Sequence, residues 1–397
     1  MRIHSAMRIQ RFTSVSRVAL PALVVLFGPL GCGGRAAGPS VTPTAANATT
    51  APTTPHAPPA VPTPTSALLA LSKADHTLAI VDPATLHVLA RIPVGDDPHE
   101  VIASEDGARA YVSNYGFGAL HSLAVIDLGA QAALAPIDLG ALRGPHGLTA
   151  VGGKIWFTAE AAKAIGRFDP ASAQIDWIFG TGQDRTHMLH VSSDLQRVVT
   201  TNVSSASVSI IDHVPPGQDH PPGPPPGAPP GGPRPGRGGP PRGPHGAPGG
   251  DWHETVVAVG GGAEGFDVSP DGNEAWVVNG YDGTISIVDL GGKRVTQTLA
   301  VDVAGGNRLR FTIDGKRALV SAGPDVAVFD VASRALVKRI TIGHGSAGIV
   351  MSPDGTRAFV ACGADDYVAV IDLATLTMVS KIDVGGEPDG LAWATRR

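Results

Sequence analysis

The feature that most constrains this 397-residue chain is a short apolar run that ends on aspartate and returns seven times. The stops are Asp82, Asp127, Asp169, Asp212, Asp289, Asp330 and Asp372, each preceded by Ile, Val or Phe. Successive stops lie 45, 42, 43, 77, 41 and 42 residues apart. The last full unit, Ala347 to Gly386, shows the content of each. An apolar start at Ile349–Met351 leads into the turn Ser352-Pro353-Asp354-Gly355, then into runs at Arg357–Cys362, Tyr367–Asp372 and Met378–Val384. Pro presets φ and Gly accepts positive φ in such a turn, while alternation of period two marks strands. An Asp closing the third strand offers its carboxylate to backbone N–H groups of the next turn. Seven four-stranded units of this length predict an all-β fold, a seven-bladed β-propeller with antiparallel blades. One unit cannot bury both faces, so the units must stack into a single domain, 67–393.

The ring is predicted to close across the termini. Ala67–Leu71, Leu78–Asp82 and His87–Val94 match the second, third and fourth strands of a unit, with no first strand before them. Glu387-Pro388-Asp389-Gly390-Leu391-Ala392-Trp393 repeats the opening of a first strand at the other end. Shared in this way, the blade leaves no open edge between start and finish.

Residues 1–31 read as a targeting segment: Arg2, Arg8, Arg11 and Arg17 precede the apolar run Val18–Leu30, which is too short to span a bilayer. Gly31-Cys32 after that run resembles a bacterial lipobox, which implies lipidation at Cys32 and an exported protein held at the outer membrane, the periplasm or the cell surface. An ordinary signal peptide cut near Ala36–Ala37 is the alternative. Residues 32–66, rich in Pro, Thr and Ala, cannot bury enough apolar surface to order themselves and read as a tether. The net charge of −5 becomes −9 without the four leading arginines, which argues against a nucleic-acid partner. Two cysteines, Cys32 and Cys362, exclude a disulfide framework, and Cys362 reads as a small buried residue.

The one long interval holds an insertion at 214–250, Pro- and Gly-rich, with the fourth strand expected to resume at Glu254–Gly260. It reads as a solvated loop between strands three and four of one blade, on the face away from the first-strand openings.

Tyr111-Val112-Ser113-Asn114, Trp276-Val277-Val278-Asn279, and the runs Ser207–Asp212, Thr284–Leu290 and Tyr367–Leu373 carry a resemblance to the YVTN-type β-propeller repeat proteins. The resemblance spans about Ala67 to Trp393 and implies a fold rather than a chemistry.

Aligned first-strand openings give one residue per blade: His99, His146, His187, Glu264, Asn307, Ala347 and Asp389. Side chains from separate loops that converge on a channel mouth are how such folds build sites. His99, His146, His187 and Glu264 are the candidate metal ligands, with Zn, Mg or Ca as the possible ion. Asn307 and Asp389 complete the candidate ligand-binding set. The alternative is that each His simply bonds the backbone of the adjacent blade.

One blade, Gly144–Pro170, resembles a repeat of the streptogramin (virginiamycin B) lyases, whose units run G-P-H-G, W-F-T-E and I-G-R. That resemblance implies a channel His, here His146, and a Glu acting with Mg²⁺ in an elimination. Ala159 stands directly after Trp156-Phe157-Thr158, and Glu160 is one residue later, a shift that on a strand reverses the facing. His146 and Glu160 are the candidate catalytic pair.

The sequence thus predicts an exported, lipid-anchored and monomeric propeller. Its first expected role is a binding or interaction module of the cell envelope, for a small molecule, a peptide or an envelope protein. A metal-dependent lyase or lactonase-like enzyme at the His-bearing mouth is the alternative.

Overall fold

The computed structural model describes residues 62–215 and 251–396. The targeting segment, Cys32, most of the tether and residues 216–250 of the insertion lie outside the described residues. What is described is a seven-bladed β-propeller, each blade an antiparallel meander with its first strand innermost.

The seven inner strands are Pro98–Ala103, Pro145–Val151, Thr186–Val191, Ala263–Val268, Gly306–Phe311, Ser346–Met351 and Pro388–Thr395. The last of them pairs with Ser66–Ser72, setting Leu68 opposite Trp393 and Ala70 opposite Leu391. Ring closure by the C-terminal strand is therefore as the sequence predicts. Trp393 adds a hydrogen bond from Nε1 to Ser66 Oγ at 2.6 Å. We number the blades from this shared one, so that Pro98–Ala103 opens the second and Ser346–Met351 the seventh.

The Asp stops work as turn caps. Asp82 accepts from the Ala84 N–H at 2.9 Å, Asp127 from Gly129 at 2.9 Å, Asp169 from Ala171 at 2.9 Å and Asp372 from Thr375 at 2.8 Å. Each carboxylate satisfies amides that a tight turn would otherwise strand. Asp212, before the insertion, has no such turn and instead pairs with Arg197 and Lys293 at 2.6 Å each. The strands here also run further than the composition suggests. Ser207–Val214 and Asp251–Ala258 pair to their ends, Val214 opposite Asp251, so 214 and 251–253 belong to the sheet. Ladder hydrogen bonds extend a strand past the point where apolar alternation fades.

The core lies between blades. Leu69, Leu71 and Ile80 of the first blade meet Val112 and Ile126 of the second, and comparable layers follow around the ring. Cys362 is fully buried in one of them, and burial pushes its thiol up to about 11, so it serves as packing.

Inner strands touch because their third residue is small in four blades. A Cβ on Gly147, Gly265, Gly348 or Gly390 would run into the backbone of the next inner strand. The corresponding positions of the second and sixth blades hold Glu100 and Arg308 instead. These two reach each other across the channel: Arg308 Nη2 donates to Glu100 Oε1, and both side chains are almost wholly buried. The pair bars the channel below the mouth.

Chain direction sorts the loops. Each inner strand starts at the same end of the ring as the turn between strands two and three, so all candidate residues share one face. The far face receives the approach of the chain at Thr63–Thr65, where Thr63 Oγ1 donates to Leu128 O and Arg396 N–H to Thr65 O. The strands flanking the insertion also end there.

Candidate functional site

His146 and His187 open neighbouring inner strands and meet with ring centroids 4.0 Å apart. His99 stands on the other side of His146, 4.9 Å away by ring centroid. Glu160 comes from the turn after Lys154–Ala159, and its backbone N–H is tied to Gly144 O at 2.9 Å. Strand alternation ends at Ala159, so the one-residue shift does not turn Glu160 away; the turn delivers it to the histidines. This corrects the reversed facing expected from strand geometry.

The contacts are specific. His187 Nδ1 lies 2.5 Å from Glu160 Oε1. Its Nε2 lies 2.8 Å from Glu264 Oε2, an ion pair when the ring is protonated. Tyr115 donates its OH to Glu160 Oε2 at 2.6 Å. Arg185 sits between the two acids, Nε 3.5 Å from Glu160 and Nη1 3.7 Å from Glu264. His146 is buried, and its Nδ1 has no hydrogen-bond partner. A buried polar nitrogen left unmatched costs free energy unless something occupies its lone pair.

Burial and neighbouring charge split the two histidines. Burial, reinforced by the charges of His187 and His99, holds His146 well below the ordinary histidine value. Burial opposes the charge of His187 too, but Glu160 and Glu264 outweigh it and raise its value. In turn, burial works against ionised Glu160 and Glu264, while the His187 contact holds both below the usual carboxylate range, Glu264 at about 2. Burial and the Glu160 contact push the Tyr115 phenol up.

His146, Glu160 and His187 each offer one ligand atom, all within 4.8 Å of one another. Two imidazole nitrogens and a carboxylate oxygen suit a divalent ion with zinc's preferences, and the unmatched Nδ1 of His146 fits that reading. His99 and Glu264 lie outside this trio. Lys73 Nζ is 3.0 Å from His99 Nε2, Asp97 Oδ1 is 3.1 Å from the same nitrogen, and Asp389 Oδ2 is 3.6 Å from Nδ1. Glu264 stands on the far nitrogen of His187. Asn307 accepts from Arg308 through its Oδ1 at 2.9 Å and stays with the channel bar. Ala347 packs in the layer between the seventh and first blades.

Sequence alignment of first-strand openings missed Tyr115, Arg185, Lys73 and the Glu100–Arg308 bar. Tyr115, Glu160 and Lys73 come from turns between strands two and three, and Arg185 from the turn that enters Thr186–Val191. The bar had a signal: in the column after the histidines, four glycines stand beside one Glu and one Arg.

No protein-family description matches the chain, and no curated protein matches it. Solved structures do. A "functionally unknown protein" from Desulfotomaculum acetoxidans aligns with TM-score 0.64 and 13% identity, over 83% of this chain and 99% of that one. A "putative 6-phosphogluconolactonase" from Bacteroides fragilis gives 0.62 and 16%, over 83% and 97%. The hydrazine synthase of Kuenenia stuttgartiensis gives 0.56 and 14%, over 74% and 89%. The likeness is one of fold. At such identities the propeller architecture is common to all three, and the chemistry of each belongs to its own side chains.

Proposed function

We propose that this chain is an acid–base catalyst acting on cyclic esters, lyase- or lactonase-like, with its site at the histidine-bearing mouth. One observation carries the reading: of two histidines in ring contact, His187 has a carboxylate at each ring nitrogen whereas the buried Nδ1 of His146 has no partner, which favours the charged form of one and the neutral form of the other. Pairs of titratable groups whose surroundings push them apart mark the acid and the base of a site. Neutral His146 accepts a proton from the substrate carbon or from an attacking water. Charged His187, held by Glu160 and Glu264, returns one to the leaving oxygen. Tyr115 keeps Glu160 ionised and oriented.

The same residues also suit a divalent ion as an alternative to that proton arrangement: His146, Glu160 and His187 would hold it in place of the His187 proton, and it would then supply the polarisation of the ester carbonyl. The names of the lactonase-like neighbours and the single lyase-like repeat agree with a ring-opening reaction, but neither carries the argument. The chain is further proposed to be an exported lipoprotein of the YVTN type, anchored through Cys32.

The experiment is a panel of lactones and cyclic depsipeptides, followed by loss of the ester bond with and without a chelator. Turnover that disappears in His146→Ala supports the proposal. An intact panel, or turnover equal in that variant, returns the chain to the second reading, a binding module of the envelope. That reading is favoured by the Glu100–Arg308 pair, which joins the second and sixth blades across the channel.

A further inference from the structure

Among the described residues, six of the seven blades end on an outer strand of six to eight residues. The second blade does not. Its outer strand is cut into Ala132–Ala133 and Ile137–Asp138, and residues 134–136, Leu-Ala-Pro, stand off the ladder between them. Sheets tolerate proline at edges and bulges, and Pro136 marks this one.

The break opens a cavity of about 640 Å³ on the outer side of the layer between the second and third blades. Tyr111, Val125 and Phe168 form its buried floor, and Pro136, Ile137 and Ile175 its walls. A smaller hollow of about 440 Å³, against Lys154 and Ile155, shares Arg109, Tyr111 and Pro170 with it, so Arg109 stands at the junction. Hollows like the smaller one recur around the ring, as at Thr312–Arg317 and Ser192–Arg197, because every blade has that turn. The larger one follows from the break. Small-molecule sites occupy roughly 300–1,000 Å³ and combine an apolar lining with a few polar groups.

The charges around the groove are already matched, with one exception. Asp138 takes His121 Nδ1 at 2.9 Å and the Gly140 N–H at 2.8 Å. Lys154 takes Asp169 at 2.7 Å and Asp176 at 3.4 Å, and Glu105 accepts the Gly153 N–H at 2.6 Å. Arg109 feels the charge of Asp106 but makes no ion pair with it or with any other described residue. Arg109 and Tyr111 are alternate residues of one strand and so face the same way. Burial pushes the Tyr111 phenol up, and Arg109, near enough to hydrogen-bond it, acts against that rise. A planar guanidinium with open donors beside an apolar floor matches a carboxylate carried on an apolar body.

We infer that this groove is a second binding site, for a hydrophobic carboxylic acid. Its apolar body lies on Tyr111, Val125, Phe168 and Ile175, and its carboxylate meets Arg109. The site belongs to the outer rim and does not depend on the chemistry of the histidine mouth.

The test uses 2-naphthoate, its neutral counterpart 2-naphthylmethanol and acetate as probes. Ligand-observed NMR follows them on the whole protein and on Arg109→Met, Ala135→Trp, His146→Ala and Lys338→Met. 2-Naphthoate should bind the native chain about tenfold more tightly than either relative, as a charge-assisted pair over an apolar floor gives. Arg109→Met should bring the acid down to the level of the alcohol. Ala135→Trp, which sets a large ring in the cavity, should remove both. Both positions are exposed, so the fold tolerates the changes. His146→Ala and the distant Lys338→Met should bind as the native chain does. No naphthoate binding by the native chain, equal binding of acid and alcohol, or undiminished binding in Arg109→Met or Ala135→Trp overturns the site. So does loss in His146→Ala, which would put the acid at the mouth. A native dimer in sedimentation that Ala135→Trp dissolves would give the groove to a second copy, and overturns it too.

Discussion

His146 and His187 lie ring against ring, 4.0 Å between centroids, yet their surroundings lower the value of one and raise that of the other. The difference comes from what stands behind each ring. His187 has a carboxylate at each nitrogen, and His146 has none. Any reaction that needs both states should follow a bell-shaped pH profile. Its acid limb should fall below the ordinary histidine value and its alkaline limb above it, as measured by initial rates from pH 4 to 10.

The same contacts make stability depend on pH. His187 has a raised value in the fold, so its contribution is complete below about 6.5 and is lost as pH rises through the folded value. Glu264 is held at about 2, so its contribution is complete above about 4.5 and is lost as pH falls toward 2. Glu264→Gln should therefore lower the melting temperature most between about pH 4.5 and 6.5, by the equivalent of about 1–2 kcal/mol. Scanning calorimetry across pH measures this, and a deficit that is flat with pH would argue against the coupling.

The Glu100–Arg308 bar should be costly to break on one side. Glu100→Gln leaves a buried guanidinium without its partner and should cost about 3–5 kcal/mol in urea unfolding. The double change Glu100→Leu with Arg308→Met should recover most of the loss, since well-packed apolar residues often replace a buried pair without penalty. Additive losses in the double variant would mean that each residue acts alone.

Ring closure gives a simpler expectation. Removing residues 388–397 exposes the edge of Ser66–Ser72 and uncovers Leu68, Leu69 and Ala70, which are fully buried in the intact ring. The loss should be on the order of 5 kcal/mol, with a broadened thermal transition.

The insertion should behave in the opposite way. Replacing 216–250 by a short Gly-Ser turn should change stability by less than about 2 kcal/mol, and in the stabilising direction, because closing a shorter loop costs less entropy. Differential scanning fluorimetry of the shortened chain checks this, and a large destabilisation would mean that the segment packs on the propeller.

The fold was legible because it repeats. The Asp stops are local turn chemistry, and seven copies of one local rule leave a single closed arrangement. The shared blade was legible for the same reason, since Pro388-Asp389-Gly390 copies an opening already seen six times. The site was legible where it follows the repeat, at His99, His146 and His187, and illegible where it departs from it. Glu160 was legible as the partner of His146 but its facing was not, because strand alternation was carried one residue past the end of Lys154–Ala159. Tyr115 and Arg185 are turn residues whose direction depends on local φ, which spacing does not encode. Glu100 and Arg308 pair across the channel, a contact between blades that no local pattern announces, although their column of glycines held the clue.

The account stands on His146, Glu160 and His187 acting as one group. The most direct measurement is calorimetric titration of zinc into protein purified without a histidine tag, for the native chain and for His146→Ala. The account predicts one ion per native chain and loss of that binding in His146→Ala. Equal zinc binding by the two proteins, or none by the native chain, would contradict it.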